Sequence, residues 1–304
     1  MTYLLNHIIE TLSAHFNETI QLQSHQQVFG GDINQAFKLQ TNIGPFFLKL
    51  NDGRLDDMFQ KEFEGLHMLY QTQDIKIPAP ILYGKFLDNV VSFKTGISSN
   101  REQVFLITEF IEKGNIAQNF WKTFAYQLAA LHKHANEQFG LRADNYIGSL
   151  SQVNNYCNTW SEFYASQRIM PLMQLAFNQN KCSGDDLRSA ERLCQCFDKI
   201  FPEERPALIH GDLWIGNFMS NANGKPVIYD PAVYYGNREM DIAMSLLFGG
   251  FDRCFYDYYN EAFPLQPGWK ERVEICQLYP LIVHLILFGG HYYYNVMRTI
   301  DNYL

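Results

Sequence analysis

The spacing of apolar residues changes part of the way along the chain. The opening stretch, residues 1–16, has the pattern of an amphipathic helix. From there to about residue 110 short β-rich runs alternate with turn residues. Residues 21–29 and 33–40 read as strands flanking Gly30-Gly31-Asp32, Asn42-Ile43-Gly44-Pro45 is a second turn, and residues 46–50 form a third strand. Phe59, Phe63, Leu66 and Tyr70 recur at helical spacing and predict a helix over 56–73 with that face inward. Strands over 81–86 and 104–110 complete the sheet, with a polar loop expected over 89–103.

Beyond residue 111 the period is helical. Phe120, Phe124, Leu128 and Leu131 make one stripe, and Leu187, Ala190, Cys194, Phe197 and Phe201 make another, read as a single helix. That helix opens at Ser183-Gly184-Asp185-Asp186, where Ser183 can cap and Asp186 stands at the capping-box position. Between the helices lie short β-like pieces at 207–209, 217–220 and 227–229, with a turn at Asn223-Gly224, and three more helices are expected after them. A small antiparallel sheet with one helix over 1–110, followed by a larger and mainly helical lobe over 111–304, is the bilobal layout of an α+β, protein-kinase-like fold.

Composition narrows the function. Charged residues are 18% and hydrophobic residues 47% of 304, which is globular composition. The net charge of −8 argues against nucleic acid or an anionic membrane as the main partner. Any phosphate must therefore be met by local positive charge. The first residues lack a basic region and a small-residue cleavage site, and the apolar run 278–290 is too short to span a bilayer, so it reads as a buried helix. The six cysteines have no paired C-x-x-C spacing, and free thiols in a cytoplasmic protein are the expectation.

The strongest chemical signal is His210-Gly211-Asp212-Leu213-Trp214-Ile215-Gly216-Asn217, followed by Asp230 at the end of a strand. Asp212 and Asn217 have the D-x-x-x-x-N spacing of a kinase catalytic loop. One carboxylate is needed to orient an acceptor hydroxyl and take its proton, an amide oxygen five residues on can ligate Mg2+, and a carboxylate on a neighbouring hairpin can bridge metal and ATP phosphates. Lys49, on the third strand, could reach those phosphates, and either Glu62 or Glu64 on the following helix could hold it. Gly30, Gly31 and Asn34 lie where a phosphate-covering loop would sit, although the glycines fit a plain hairpin turn equally well. Glu109, Phe110 and Ile111 end the last sheet strand, where backbone groups could pair with an adenine edge. His132-Lys133-His134 is at i, i+2 on a helix and so makes no ready metal pair.

These residues resemble the fructosamine kinase, or ketosamine-3-kinase, family nearly from end to end. The resemblance is carried by Gly30-Gly31-Asp32-Ile33-Asn34, Phe47-Leu48-Lys49-Leu50-Asn51, Asp57-Met58-Phe59 with Glu62 and Gly65-Leu66, and Asp144-Asn145-Tyr146-Ile147-Gly148. It continues through the loop from His210 to Asn217, Asp230-Pro231-Ala232-Val233-Tyr234-Tyr235-Gly236, Arg238-Glu239-Met240-Asp241 and Leu247-Phe248-Gly249-Gly250-Phe251. The loop alone is shared with aminoglycoside phosphotransferases and choline kinases, which makes a kinase for another hydroxylated amine the alternative, with a non-catalytic nucleotide-binding protein behind it.

The resemblance implies Asp212 as the base, Asn217 and Asp230 as metal ligands, and Glu62 as the partner of Lys49. It also implies Glu109 to Ile111 as the adenine hinge, Asp241 as a buried brace, and Trp214 with His284 at the acceptor-sugar pocket. ATP and Mg2+ would be the cofactors, and a small or protein-bound ketosamine the partner of a monomer or homodimer. Many members carry Cys where this chain has Asp32, so redox switching on that thiol is not implied.

Overall fold

The first helix, α1 (Thr2–Phe16), has an apolar face to hide: Leu4, Leu5, Ile8 and Leu12 fall at helical spacing and are all buried. They share one apolar cluster with Phe37, Leu39, Phe46, Leu48, Phe105 and Ile107 of a five-stranded sheet. The chain is represented by a computed structural model that describes residues 2–28, 34–53, 57–91 and 98–304. It divides into two compact units, Met1–Gln71 with Ile77–Gly114 and Thr72–Lys76 with Asn115–Leu304.

In the first unit the elements run α1, β1 (Leu22–Val28), β2 (Gln35–Thr41), β3 (Gly44–Asp52), α2 (Met58–Thr72), β4 (Pro80–Val91) and β5 (Ser98–Glu109). The sheet order is β1-β2-β3-β5-β4, antiparallel throughout. β3 is its central strand, and Lys49 there stands opposite Ala36 of β2 and Leu106 of β5.

Two expectations are corrected in this unit. Residues 89–91 and 98–103 are strand rather than loop, with Val91 opposite Ser98 and Asn89 opposite Asn100. A ladder is made by backbone groups, so polar side chains do not end it. On α2 the buried residues are Met58, Phe59, Gly65, Leu66 and Leu69, whereas Tyr70 is exposed. The stripe is rotated from the predicted one because Leu69 packs without a hydroxyl to satisfy.

The second unit begins with α3 (Phe120–Leu131), β6 (Asn145–Ile147), β7 (Leu150–Gln152) and α4 (Trp160–Phe163). A π-helical turn, Tyr164–Ile169, leads into α5 (Met170–Asn178). The stripe 187–201 is two helices, α6 (Gly184–Cys194) and α7 (Phe197–Ile200). The backbone tightens at Cys196, whose N–H reaches Leu193 O at 2.8 Å, an i−3 bond. Phe197 and Phe201 still point inward and pack on Tyr164 at 5.3 and 5.7 Å between centroids.

Two small two-stranded sheets follow: β8 (Ala207–Ile209) pairs with β11 (Tyr234–Gly236), and between them in the chain the hairpin β9 (Phe218–Ser220) pairs with β10 (Pro226–Ile228). The last α-helices are α8 (Glu239–Leu246), α9 (Arg253–Ala262), α10 (Val273–Phe288) and α11 (Tyr292–Asn302). They number four rather than three, since the pairs Gly249-Gly250 and Gly289-Gly290, all at positive φ, end helical runs. Within α10, Pro280 cannot donate to Cys276 O. The buried Tyr164 hydroxyl sits there instead, donating to Ile275 O at 2.7 Å and accepting from Tyr279 N at 3.2 Å. Among the described residues no helix is long and apolar enough to cross a membrane, and all six cysteines are free.

Candidate active site

Asp241, fully buried on α8, organises the loop after β8. Its carboxylate accepts the N–H of His210 at 2.7 Å and of Gly211 at 2.9 Å. On its other side His132 Nε2 donates to it at 3.1 Å. Burial alone would push the Asp241 carboxyl up, but His132, His210 and the Gly211 N–H hold it below the usual carboxylate range. The His210 ring is equally constrained, since Nε2 donates to Tyr229 O at 3.0 Å and Nδ1 accepts from Asp212 N at 3.3 Å. That pattern requires the neutral ring, and burial lowers its pKa accordingly. Gly211 is at φ +83°, and a Cβ there would lie 2.1 Å from Ala232 O, so only glycine lets the two segments close.

The loop so held presents Asp212. Asn217 Nδ2 donates to the Asp212 backbone oxygen at 2.8 Å and to Oδ2 at 2.9 Å, and approaches Asp230 O at 3.5 Å. The hairpin β9–β10 returns the chain so that Tyr229 N meets Asn217 O at 3.1 Å. Asp230 then turns at φ +57°, a left-handed conformation that costs a non-glycine residue on the order of 1 kcal/mol. Burial pushes the Asp212 carboxyl up to about 7, with the Asn217 hydrogen bond holding it down and the charges of Asp230 and Asp241 adding to the rise.

Among the described residues no group of three or more His, Cys, Asp or Glu side chains is placed to hold a metal. Asn217 and Asp230 offer instead an amide oxygen and a carboxylate. Because the Asn217 amide nitrogen is committed to Asp212, its oxygen is the end left for a cation. Two hard oxygen donors suit Mg2+, which takes the rest of its shell from phosphate and water.

In the first unit Lys49 Nζ lies 2.6 Å from Glu62 Oε1, and both side chains are largely buried. Glu64 is exposed and pairs with Lys61 at 3.4 Å, so the structure chooses between the two glutamates. The Glu109 N–H is taken by Ala79 O at 2.9 Å, and its side chain accepts Ala79 N at 3.1 Å. What it can offer to a base edge is a lone pair of its carbonyl, which also accepts from Thr108 Oγ1 at 3.3 Å. Phe110 lies beneath Lys38 Nζ at 4.3 Å and beside Phe47, and Ile111 is half-buried. Asn34 accepts from Asn51 Nδ2 at 2.7 Å. Gly30 and Gly31 lie outside the described residues.

Trp214 and His284 fall into one aromatic group through Phe248, which is 5.8 Å from Trp214 and 4.7 Å from His284, with Tyr292 5.1 Å from His284. The Trp214 ring lies over Gly216, where a Cβ would come within 2.4 Å of it. His284 Nδ1 donates to Pro280 O at 2.8 Å, and burial lowers its pKa, so the ring is neutral with its Nε2 lone pair outward of that bond.

Several site-supporting residues are not evident from the sequence. His132 is not on the helix but just past its end, and its Nδ1 meets Tyr259 OH at 2.7 Å. The buried amides Asn145 and Gln152 donate to Val233 O and Ala232 O, and Asn154 donates to Asn145 Oδ1; of the three only Asn145 falls in a block that carries the family resemblance. Gln152 and Asn154 stand in the polar run 151–155, where nothing in the sequence marks a buried amide.

Residues 4–304 match the family model described as fructosamine kinase. A chloroplastic protein-ribulosamine 3-kinase of Oryza sativa subsp. indica is 37% identical over 280 residues, covering 90% of this chain and 77% of that one. The crystal structure of a candidate fructosamine-3-kinase from Haemophilus somnus superposes with a TM-score of 0.84 at 27% identity, covering 98% of this chain and 96% of that one. A thermostable mutant of an aminoglycoside phosphotransferase matches with a TM-score of 0.58 at 14% identity, over 97% and 98% of the chains. That last likeness is one of fold.

Proposed function

The chain belongs to the fructosamine kinase family, and from that premise we propose that it transfers the γ-phosphoryl group of ATP to the 3-hydroxyl of ketosamines. The observation that carries the reading is the meeting of Asp212, Asn217 and Asp230 around one braced loop. Asp212 is the base. Asn217 holds its Oδ2, so Oδ1 is the atom that accepts the proton of the acceptor hydroxyl. Asn217 Oδ1 and Asp230 would hold Mg2+, which neutralises charge on the phosphates when bound. Lys49, held by Glu62, contacts the nucleotide phosphates, and the carbonyl of Glu109 with the backbone of Ile111 meets the adenine edge. Trp214 and His284 line the acceptor pocket, where neutral His284 Nε2 can accept a sugar hydroxyl. We read its place of action as a reducing compartment such as the cytoplasm, in keeping with six free thiols.

The chemistry explains why a 3-hydroxyl would be the target. A ketosamine has an amine on its first carbon and a ketone on its second. Loss of a proton from the first carbon gives an enol whose electron pair can expel phosphate from the third. The resulting adduct hydrolyses to free amine and a deoxy-dicarbonyl. The enzyme need only align hydroxyl and γ-phosphate and stabilise the charge, and the outcome is the removal of sugars from glycated amines.

The test is ATP turnover with Mg2+ on a fructosamine, a ribulosamine, an aminoglycoside and choline. Turnover on a ketosamine followed by release of free amine is expected. Turnover confined to the aminoglycoside or choline would overturn the substrate and leave the phosphotransfer residues standing.

A further inference from the structure

Two hydrogen-bond chains converge on the backbone just beyond Asp230. In the first, Arg168 Nη2 donates to Asn154 Oδ1 at 2.6 Å, Asn154 Nδ2 to Asn145 Oδ1 at 2.8 Å, and Asn145 Nδ2 to Val233 O at 2.8 Å. In the second, the Tyr279 hydroxyl donates to Gln152 Oε1 at 2.8 Å, and Gln152 Nε2 donates to Ala232 O at 3.1 Å and to Asn145 Oδ1 at 2.7 Å. Asn145, Gln152, Asn154 and Arg168 are all buried.

The direction of the first chain is fixed at its source. A guanidinium can only donate, so Asn154 must present oxygen to Arg168 and nitrogen to Asn145, and Asn145 must present nitrogen to Val233. Arg168 is itself locked, with Nη1 on Val153 O at 2.5 Å and its guanidinium 4.0 Å from the Tyr234 ring centroid. Asn145 therefore aims its N–H end at the Val233 carbonyl, and its oxygen takes the N–H end of Gln152, which also reaches the Ala232 carbonyl.

Those carbonyls are two and three residues past an aspartate in a left-handed conformation. On the opposite side the segment is pinned to the catalytic loop, where Ala232 N donates to His210 O at 2.9 Å and Gly211 presses against Ala232 O. A strained residue persists only where its surroundings over-determine it, and here two buried donors and one loop do so.

We propose that Asn145 and Gln152 are positioning residues that hold Asp230 in its metal-facing conformation by fixing the carbonyls of Val233 and Ala232. The inference rests on the reading of Asp230 as a metal ligand, and the experiment separates the two. Mn2+ binding in the presence of ADP is measured by electron paramagnetic resonance, without turnover, for the wild type, Asp230→Asn, Gln152→Met, Asn145→Ser and Leu193→Ala. The last is a cavity variant in the α6 face of the core and reports what lost stability alone does. Amide exchange at Ala232 is followed in the metal-free protein.

Asp230→Asn is expected to abolish binding. Gln152→Met and Asn145→Ser are expected to weaken it at least tenfold and to speed Ala232 exchange at least tenfold, while Leu193→Ala stays within twofold on Mn2+. If Gln152→Met does not fold, Asn145→Ser alone decides. Mn2+ affinity within twofold of wild type in a folded clamp variant overturns the proposal, as does equal weakening in Leu193→Ala. Undiminished binding in Asp230→Asn overturns the metal reading and the clamp with it.

Discussion

At the scale of single residues, Asp212 carries a conflict between stability and chemistry. Its carboxyl is pushed up to about 7 by burial and by the neighbouring Asp230 and Asp241. A carboxyl raised above its unfolded value folds more favourably when protonated, so stability from this group is present at low pH and is lost as pH rises from about 4 to about 7. Asp212→Asn keeps an acceptor for the Asn217 amide and removes the charge. We expect it to lower kcat by at least about 10²-fold. At pH 8 the nucleotide-free variant should melt at least about 2 °C above wild type, the shift that roughly 1 kcal/mol gives a chain of this size. The gain should shrink below pH 6, where wild-type Asp212 is protonated. Retained turnover in a steady-state assay, or a lower melting temperature at pH 8, would contradict this account.

At the scale of elements, what was legible was local. The capping box at α6 needs only four consecutive residues, and it forms: Ser183 Oγ accepts Asp186 N at 3.2 Å and Asp186 Oδ2 accepts Ser183 N at 2.7 Å. Ser183→Ala should cost about 1 kcal/mol, seen as a fall of about 2–4 °C in thermal melting, with turnover unchanged. A fall in turnover would link this helix end to the site. The end of the same helix was not legible. Nothing in Gln195-Cys196 breaks a helix by propensity; the break comes with the packing of Phe197 and Phe201 on Tyr164, more than thirty residues away. The β4–β5 hairpin extends through a stretch too polar to announce itself, because its ladder is made by backbone alone.

At the scale of the molecule, acid sensitivity follows from the buried groups that brace the catalytic loop. Asp241 is held below the ordinary carboxylate value of 3.8 and His210 below the ordinary imidazole value of 6.5. Both shifts are depressions, so each contributes stability that is full above its unfolded value and is lost as pH falls through the folded one. The loss from His210 begins below about 6.5 and that from Asp241 below about 4. Asp212 acts in the opposite sense, so Asp212→Asn exposes the trend. Its melting temperature, followed by calorimetry, should hold from pH 8 to about 6.5 and then fall towards pH 4, and a rise on acidification below about 6.5 would mean that the neutral His210 ring is not required for folding.

The sequence by itself determined the sheet-then-helices order and the catalytic loop. The apolar spacing dictates which faces must be buried, and Asp212, Asn217 and Asp230 lie within nineteen residues joined by one short hairpin. It also reduced the partner of Lys49 to two glutamates two residues apart on α2, which point to different faces and between which only the direction of α2 against β3 could decide. Beyond Asp241, which the family resemblance implied as a brace, the tertiary structure alone decided what supports the loop. His132 reaches Asp241 across 109 positions of sequence, and Asn145 reaches Val233 across 88. A hydrogen bond between residues so far apart leaves no periodic mark in either segment. It exists only because the core packs α3, α8 and the β6–β7 turn around one buried loop, where each polar group must find a partner or be paid for in stability.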